Sequence, residues 1–264
     1  MERRTNVAAG ASRLVDYWVT VYRRTWKGSA ISSFVTPLFY VLAMGVLLGD
    51  YVTSDPAQLE GASSYLVFIA PGLLAAQAMQ TVFGEVTYPV MGMIKWHKTY
   101  FGMAATPLSV REVILGHLGF VLFRVALTCG VFTIVMAPFG VYATAYGAVL
   151  AFLVQLLVGL AFATPIYAFS AGLKDESAFA IVFRLGMIPL FLFSGAFFPI
   201  SNLDPWMEAL AKVTPLWHGV DLTRMLTLDT VDGATALVHV VYLVVLAVLG
   251  WFWAVARLTK RMSV

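Results

Sequence analysis

Charge is what this sequence has little of. Only 12% of its 264 residues are charged, against 60% that are hydrophobic, whereas a soluble domain keeps roughly a quarter charged to cover its surface. The folded chain must therefore face something other than water, and lipid is the economical choice. Cysteine is nearly missing as well: Cys129 stands alone, which excludes an intrachain disulfide and a cysteine-built metal site. No GxxxxGK[ST] phosphate loop occurs, "WKGS" at Trp26 to Ser29 being the nearest fragment, so the chain cannot cradle nucleotide phosphates by that mechanism. No nucleophile, base and orienting group occur together, which leaves an intramembrane enzyme unsupported. The first apolar run starts late and lacks a small-residue cleavage pattern, so no cleavable signal peptide is expected.

What is there is a set of long uncharged runs. A spanning helix needs roughly 20 apolar residues to cross about 30 Å of hydrocarbon. Gly28 to Gly49 and Gly61 to Gly84 meet that length without a charge. Val125 to Leu173 is also uncharged, but as one helix it would be about 73 Å long. It must hold the end of a third span that starts at Arg111 and ends at Met136, a turn, and a fourth span. "APFGVYATAYG" (Ala137 to Gly147) supplies Pro and Gly for the turn. Leu185 to Leu203 and Gly233 to Ala256 complete an expected six. The fold expected is thus all-α and polytopic, one transmembrane domain over residues 1–264.

Six crossings put both termini on one side, and basic residues choose it. Arg3, Arg4, Arg13, Arg23, Arg24 and Lys27 precede span one; Lys95, Lys98 and Arg111 lie between spans two and three. Lys174 follows span four, and Arg257, Lys260 and Arg261 close the chain. The opposite loops carry Asp50, Asp55, Glu60, Asp204, Glu208, Asp221, Asp229 and Asp232 against Lys212 and Arg224. Basic residues accumulate in cytoplasmic loops, so both termini are expected in the cytoplasm of a multi-pass inner-membrane protein. The net charge of +3 then reflects topology, and no nucleic-acid partner is expected.

Three segments are neither span nor minimal turn. Residues 12–28 place Leu14, Trp18, Val21 and Tyr22 on one helical face with the basic residues largely elsewhere, the pattern of a helix lying in the inner headgroup layer. Residues 90–108 are long, basic and aromatic; Thr106-Pro107 stops one helix, and Ser109 with Glu112 forms a capping box for the next. A short helix near Ile94 to Ala104 would present Lys95, Trp96, Lys98, Thr99 and Tyr100 below the membrane. Between spans five and six, Asp204-Pro205 and Thr214-Pro215 open two short amphipathic helices, whose aromatics suit the headgroup level on the outer side. "FLFSGAFFPIS" ends span five in a way that lets the chain dip back into the membrane. "GVLLG" (Gly45 to Gly49) offers a close-approach GxxxG in span one.

"SGAFFPISNLDPWMEALAKVTPLWHGVDLTR" (Ser194 to Arg224) resembles the signature of type-2 ABC exporter permeases. "PLWHGVDLTR" in particular is similar to the nodulation-factor (lipo-oligosaccharide) exporter permeases, with the daunorubicin exporter permeases more distant. The resemblance covers essentially the whole chain. It implies a dimeric pore of two permease copies, identical or not, each resting on a cytoplasmic ATPase subunit that binds the ATP and Mg. No cofactor would bind this chain itself. Lys95, Trp96, Lys98, Thr99, Tyr100 and Pro107 would form the ATPase-coupling segment. Residues 198–224 would be re-entrant outer helices closing the pathway, with Pro199, Trp206, Pro215, Trp217, His218 and Arg224 as the outer gate. The implied cargo is an amphipathic molecule such as a lipid-linked glycan, a lipo-oligosaccharide or a drug.

Individual residues carry two readings each. Arg124 sits about 20 Å of helix beyond Arg111, where an unpaired charge is costly; it either lines a pathway or pairs with Glu85 or Glu112. Arg184 is shallower and either lines the pathway or snorkels. Phe193, Phe197 and Phe198 line an amphiphile's path or pack against lipid and neighbours. His218 and Asp221 at i,i+3 make half a metal site or a hydrogen-bonded pair. His97, His117 and His239 show no ligand spacing. An ATPase-independent secondary transporter or channel would need relay carboxylates within spans, and Glu85 is the one obvious acid there.

Overall fold

The computed structural model describes residues 7–47 and 59–263, whose regular elements are all helices, with no strand among them. In chain order the helices are α1 Val7–Tyr40, α2 Tyr65–Val86, α3 Tyr88–Met91, α4 Thr99–Ala104, α5 Val110–Met136, α6 Ala145–Gly172, α7 Ser177–Ile181, α8 Ile188–Phe193, α9 Pro205–Lys212, α10 Pro215–Leu228 and α11 Gly233–Met262. Wide π-type turns extend three of them, at Val41–Leu47, Gly92–Trp96 and Val182–Met187.

Local chemistry accounts for most helix starts. Ser64, Thr144, Thr214 and Asp232 each accept a bond from the backbone N–H three residues on, at α2, α6, α10 and α11. Ser109 and Glu112 form the expected capping box of α5: Ser109 N donates to Glu112 Oε2 at 2.6 Å, and Glu112 N donates to Ser109 Oγ at 3.3 Å. Asp204 holds the position before α9 without a side-chain bond, so Pro205 at the first turn does the starting there. The Ala137–Phe139 turn ends at Gly140 with φ 70°, which separates α5 from α6 where the sequence placed the break.

Among the described residues, four helical stretches are long and apolar enough to cross a membrane: Tyr65–Trp96, Val110–Phe139, Ala145–Gly172 and Gly233–Met262. The first is the centre of the bundle, 78% of its apolar window being buried, and the last is peripheral at 22%. α5, α6 and α10 pack around α2, α1 packs along α5 with its extension Val41–Leu47 against α2, and α11 packs along α6. Gly250 makes that last contact possible, because a Cβ there would lie 2.4 Å from Thr164 Oγ1 and 2.7 Å from Pro165. Thr164 Oγ1 donates across to the Ala247 carbonyl at 2.9 Å.

Two expectations are corrected here. Residues 12–28 are not a separate helix: α1 runs unbroken through Gly28, which has open space where a side chain would sit and no breaker beside it. Its apolar face is covered by protein, with Leu14 and Trp18 both 6% exposed. Leu14 fits the groove over Gly116, where a Cβ would come within 2.4 Å, and Trp18 stacks on His117 and Phe120 at 4.7 and 5.5 Å. The fifth apolar run is also displaced. Helix covers Ser177–Phe193 rather than Leu185 to Leu203, and it is shorter than the four spans; Gly195 then turns with φ 79°. The end of span one at Gly49, and the GxxxG that ends there, lie outside the described residues.

Candidate functional site

Three polar features interrupt the apolar bundle, at one end, in its middle and at the opposite end. At the first, the α2 stretch runs on to Trp96 and stops at Lys98, whose φ of 52° is left-handed. A side chain in that conformation costs about 1 kcal/mol or more, and it swings α4 away from the helix before it. Lys95, Trp96 and Lys98 are exposed, Trp96 at 50%, and Pro107 is exposed in the turn to α5, with Thr99 half-buried. Tyr100 does not face outward as expected. It is fully buried, its hydroxyl bonds the His117 ring, and it stacks against Tyr167 at 6.4 Å. Its role is to anchor α4 to the bundle.

The same end is tied to the loop after α6. Lys95 Nζ donates to Glu176 Oε2 at 2.6 Å, with both side chains about 40% exposed (37% and 43%). Lys95 holds the Glu176 carboxyl below its ordinary value, and the Ser177 backbone and hydroxyl do the same for Asp175. The energy of an exposed pair is small, about 1 kcal/mol or less. Its consequence is geometric, since it ties two loops to each other.

In the middle, Arg124 is paired, as one of its two readings had it: Nε donates to Glu85 Oε1 at 2.8 Å, with side chains 13% and 22% exposed. Its guanidinium lies 4.7 Å over the Tyr22 ring. The pair borders a cleft of about 230 Å³ between α1, α2 and α5, lined also by Gln77, Thr81 and Thr128. The Thr81 and Thr128 hydroxyls are 3.1 Å apart. Arg124 therefore both pairs and lines a cavity. Arg184 is exposed on the Val182–Met187 turn. Phe193 is 41% exposed, Phe197 and Phe198 partly so. Phe191 meets Phe197 at 4.9 Å and Phe193 meets Phe198 at 6.5 Å.

At the opposite end Arg224 is a clamp. It is 4% exposed. Nη1 donates to Glu60 Oε2 at 2.7 Å and Nη2 to the Gly195 carbonyl at 2.7 Å. Nε and Nη2 also reach the Phe68 carbonyl at 3.4 Å, and the guanidinium lies 4.1 Å over the Phe68 ring. One α10 side chain thus joins the segment before α2, the first turn of α2 and the Gly195 turn. Pro199 is buried behind it, Pro215 opens α10, and Trp206 projects at 67% exposure. Sequence spacing did not reveal Glu60 as a partner, because 164 residues separate the pair.

Beside the clamp lies a chain of three groups. His239 Nε2 donates to Asp221 Oδ2 at 2.9 Å, and His218 Nδ1 meets His239 Nδ1 at 2.7 Å. Trp217 packs edge-on against both rings at 4.9 and 5.1 Å, and Tyr242 stacks on His218 at 3.8 Å. His218 and Asp221 are both engaged by His239, a residue the sequence left unconnected, so they act as a strut between α10 and α11.

Comparison with known proteins gives the chain its relatives. A family model described as "ABC-2 type transporter" matches residues 13–228. Nodulation protein J of Rhizobium leguminosarum bv. trifolii is 30% identical over 254 residues, covering 93% of this chain and 94% of that protein. Nodulation protein J of Sinorhizobium fredii is 28% identical over 252 residues, with 93% and 94% covered. The inner membrane transport permease YadH of Escherichia coli is 22% identical over 252 residues, with 89% and 94% covered.

Proposed function

Because the chain belongs to the ABC-2 type transporter family, we propose that it is the membrane subunit of an ATP-driven exporter that moves an amphipathic, glycan-bearing molecule outward. Two permease copies form the pathway, each with six crossings and cytoplasmic termini in the inner membrane. A separate ATPase, carrying ATP and Mg, docks beneath residues 95–107. The observation that carries this reading is the pairing of an exposed basic and aromatic face, Lys95, Trp96 and Lys98, with a buried anchor, Tyr100, on one short segment. A partner pushing on that face would move α4, and through Tyr100 and His117 it would move α5. The Lys95–Glu176 tie carries the same push to the segment leading into α7.

At the other end, the Arg224 clamp and the Asp221–His239–His218 strut hold the outer helices closed. Export would require these contacts to give way when the inner face closes. Such ties between packed elements have discrete arrangements, which suits alternation between two states. A carboxylate relay is less well supported, since Glu85 is engaged by Arg124. The test is reconstitution of the chain with its ATPase in proteoliposomes, following ATP-dependent movement of a lipid-linked glycan across the bilayer. Movement without ATP or without the ATPase would reject the reading.

A further inference from the structure

We propose that the cleft between α1, α2 and α5 is a subsite for a neutral saccharide, binding the hydroxyl groups of a substrate's headgroup. It deepens the exporter reading, which supplies the reason such a ligand would be there; the chemistry of the cleft stands on its own lining.

Position comes first. Arg124 lies 14 residues beyond Val110, about 21 Å along α5, so the cleft is at bilayer depth. Amides and hydroxyls turned toward acyl chains would be costly. A polar lining here is consistent with a path that carries water or a polar ligand. At about 230 Å³ the cleft is below the roughly 300 Å³ at which pockets for drug-sized ligands begin, a size for a sugar unit rather than a whole amphiphile.

Charge selects the class of headgroup. Arg124 and Glu85 are the ionisable groups of the lining, and they cancel at 2.8 Å. A phosphate or sulfate would meet the Glu85 carboxylate beside the one cation among the described residues of the lining. A quaternary ammonium would meet Arg124. A neutral headgroup meets neither penalty.

Hydrogen-bonding capacity then points to hydroxyls. Ser33 and Thr36 from α1 and Gln77 and Gln80 from α2 line the cleft. Each of these side chains can both donate and accept, as every sugar hydroxyl can. The Gln77 amide makes only a long bond to Thr81 Oγ1, 3.4 Å, which a ligand hydroxyl can replace. Among the described residues, Arg124 Nη1 is buried with no protein acceptor. A buried guanidinium N–H left unpaired costs more than a kilocalorie or so, and a sugar oxygen would satisfy it.

The experiment measures binding without ATP or ATPase, so its failure leaves the exporter reading standing and is distinguishable from that reading's own failure. The full chain in lipid nanodiscs is mixed with an octyl maltoside or an octyl phosphocholine, and saturation transfer to headgroup protons is read by NMR against empty nanodiscs. The expected result is transfer to the maltose ring protons that falls about thirtyfold in Gln77→Ala/Gln80→Ala, the loss of two hydrogen bonds of about 1 kcal/mol each. Thr128→Ser, which keeps the hydroxyl, should retain the transfer. Thr36→Val provides a second reading should the double variant fail to fold. Ring protons saturated equally in the variants, no transfer above empty nanodiscs, or displacement of the maltoside by an equal concentration of the phosphocholine would each overturn the proposal.

Discussion

Replacing Arg224 with Met removes the guanidinium while keeping most of the side chain's volume, so it isolates the clamp from cavity effects. Three losses follow. The Gly195 carbonyl, which accepts at 2.7 Å, is left without that donor, at about 1–2 kcal/mol for a buried acceptor. The guanidinium stacked on Phe68 at 4.1 Å contributes about 1–2 kcal/mol when desolvated. Glu60 is 37% exposed and regains water, so the broken ion pair itself adds about 1 kcal/mol or less. Against these stands the relief of no longer burying a charge, which offsets part of the sum. The net expectation is a loss of about 2–3 kcal/mol, or roughly a 30- to 150-fold shift in the folded-to-unfolded ratio. Equilibrium unfolding by detergent titration in mixed micelles measures it. Glu60→Gln in the same assay should cost about 1 kcal/mol or less. An Arg224→Met loss no larger than that of Glu60→Gln would refute the idea that Arg224 holds three segments rather than one surface partner.

Other expectations follow from the remaining polar features. Glu85→Gln leaves Arg124 uncompensated at bilayer depth and should destabilise by about 3 kcal/mol, while Glu85→Gln/Arg124→Met should recover most of that loss in the same titration. Tyr100→Phe leaves a ring nitrogen of buried His117 without its partner and should cost about 1–2 kcal/mol, with thermal unfolding as the readout. Lys98→Gly should raise stability by about 1 kcal/mol by relieving the left-handed backbone, yet lower substrate-stimulated ATP hydrolysis in the assembled complex; a fall in both would tie the charge to folding instead of docking. The Lys95–Glu176 tie has a predictable pH window. Lys95 holds Glu176 below its ordinary value of 4.5 in the folded chain, so the tie is fully present above that value and is lost only as pH falls through the lower folded one. Spin labels at Gly102 and Lys174 should keep a single short distance at pH 4.5, and a broad distribution already there would contradict the assignment.

Much of the architecture could be read from the chain because it is local or repetitive. Helix α5 and its capping box depend on Ser109 and Glu112, three residues apart, and the turn after it on Pro138 and Gly140. The uncharged runs gave α2, α6 and α11 by length alone. The misreadings have a common physical origin in contacts distant along the chain. Basic and aromatic residues at helical spacing fit a headgroup-bound helix as well as they fit the face of α1 that packs on Gly116 of α5. Tyr100 looked exposed because a six-residue helix has too little periodicity to show its buried side, and its partner is 17 residues away. His239 appeared solitary until α11 folded back on α10 and set it between Asp221 and His218. Arg124 was the better case, since Glu85 stood among the partners its depth demanded.

The central claim is that this chain is a gate moved from below by another polypeptide's nucleotide chemistry. The most direct measurement places a photo-crosslinking amino acid at Trp96, which is half exposed, in the full chain expressed in its own cells. Illumination should capture a protein with a phosphate-binding loop, identified by mass spectrometry, and a probe at the buried Tyr100 should not. Capture of lipid alone at residue 96, or ATP hydrolysis by the purified chain without any partner, would contradict the account.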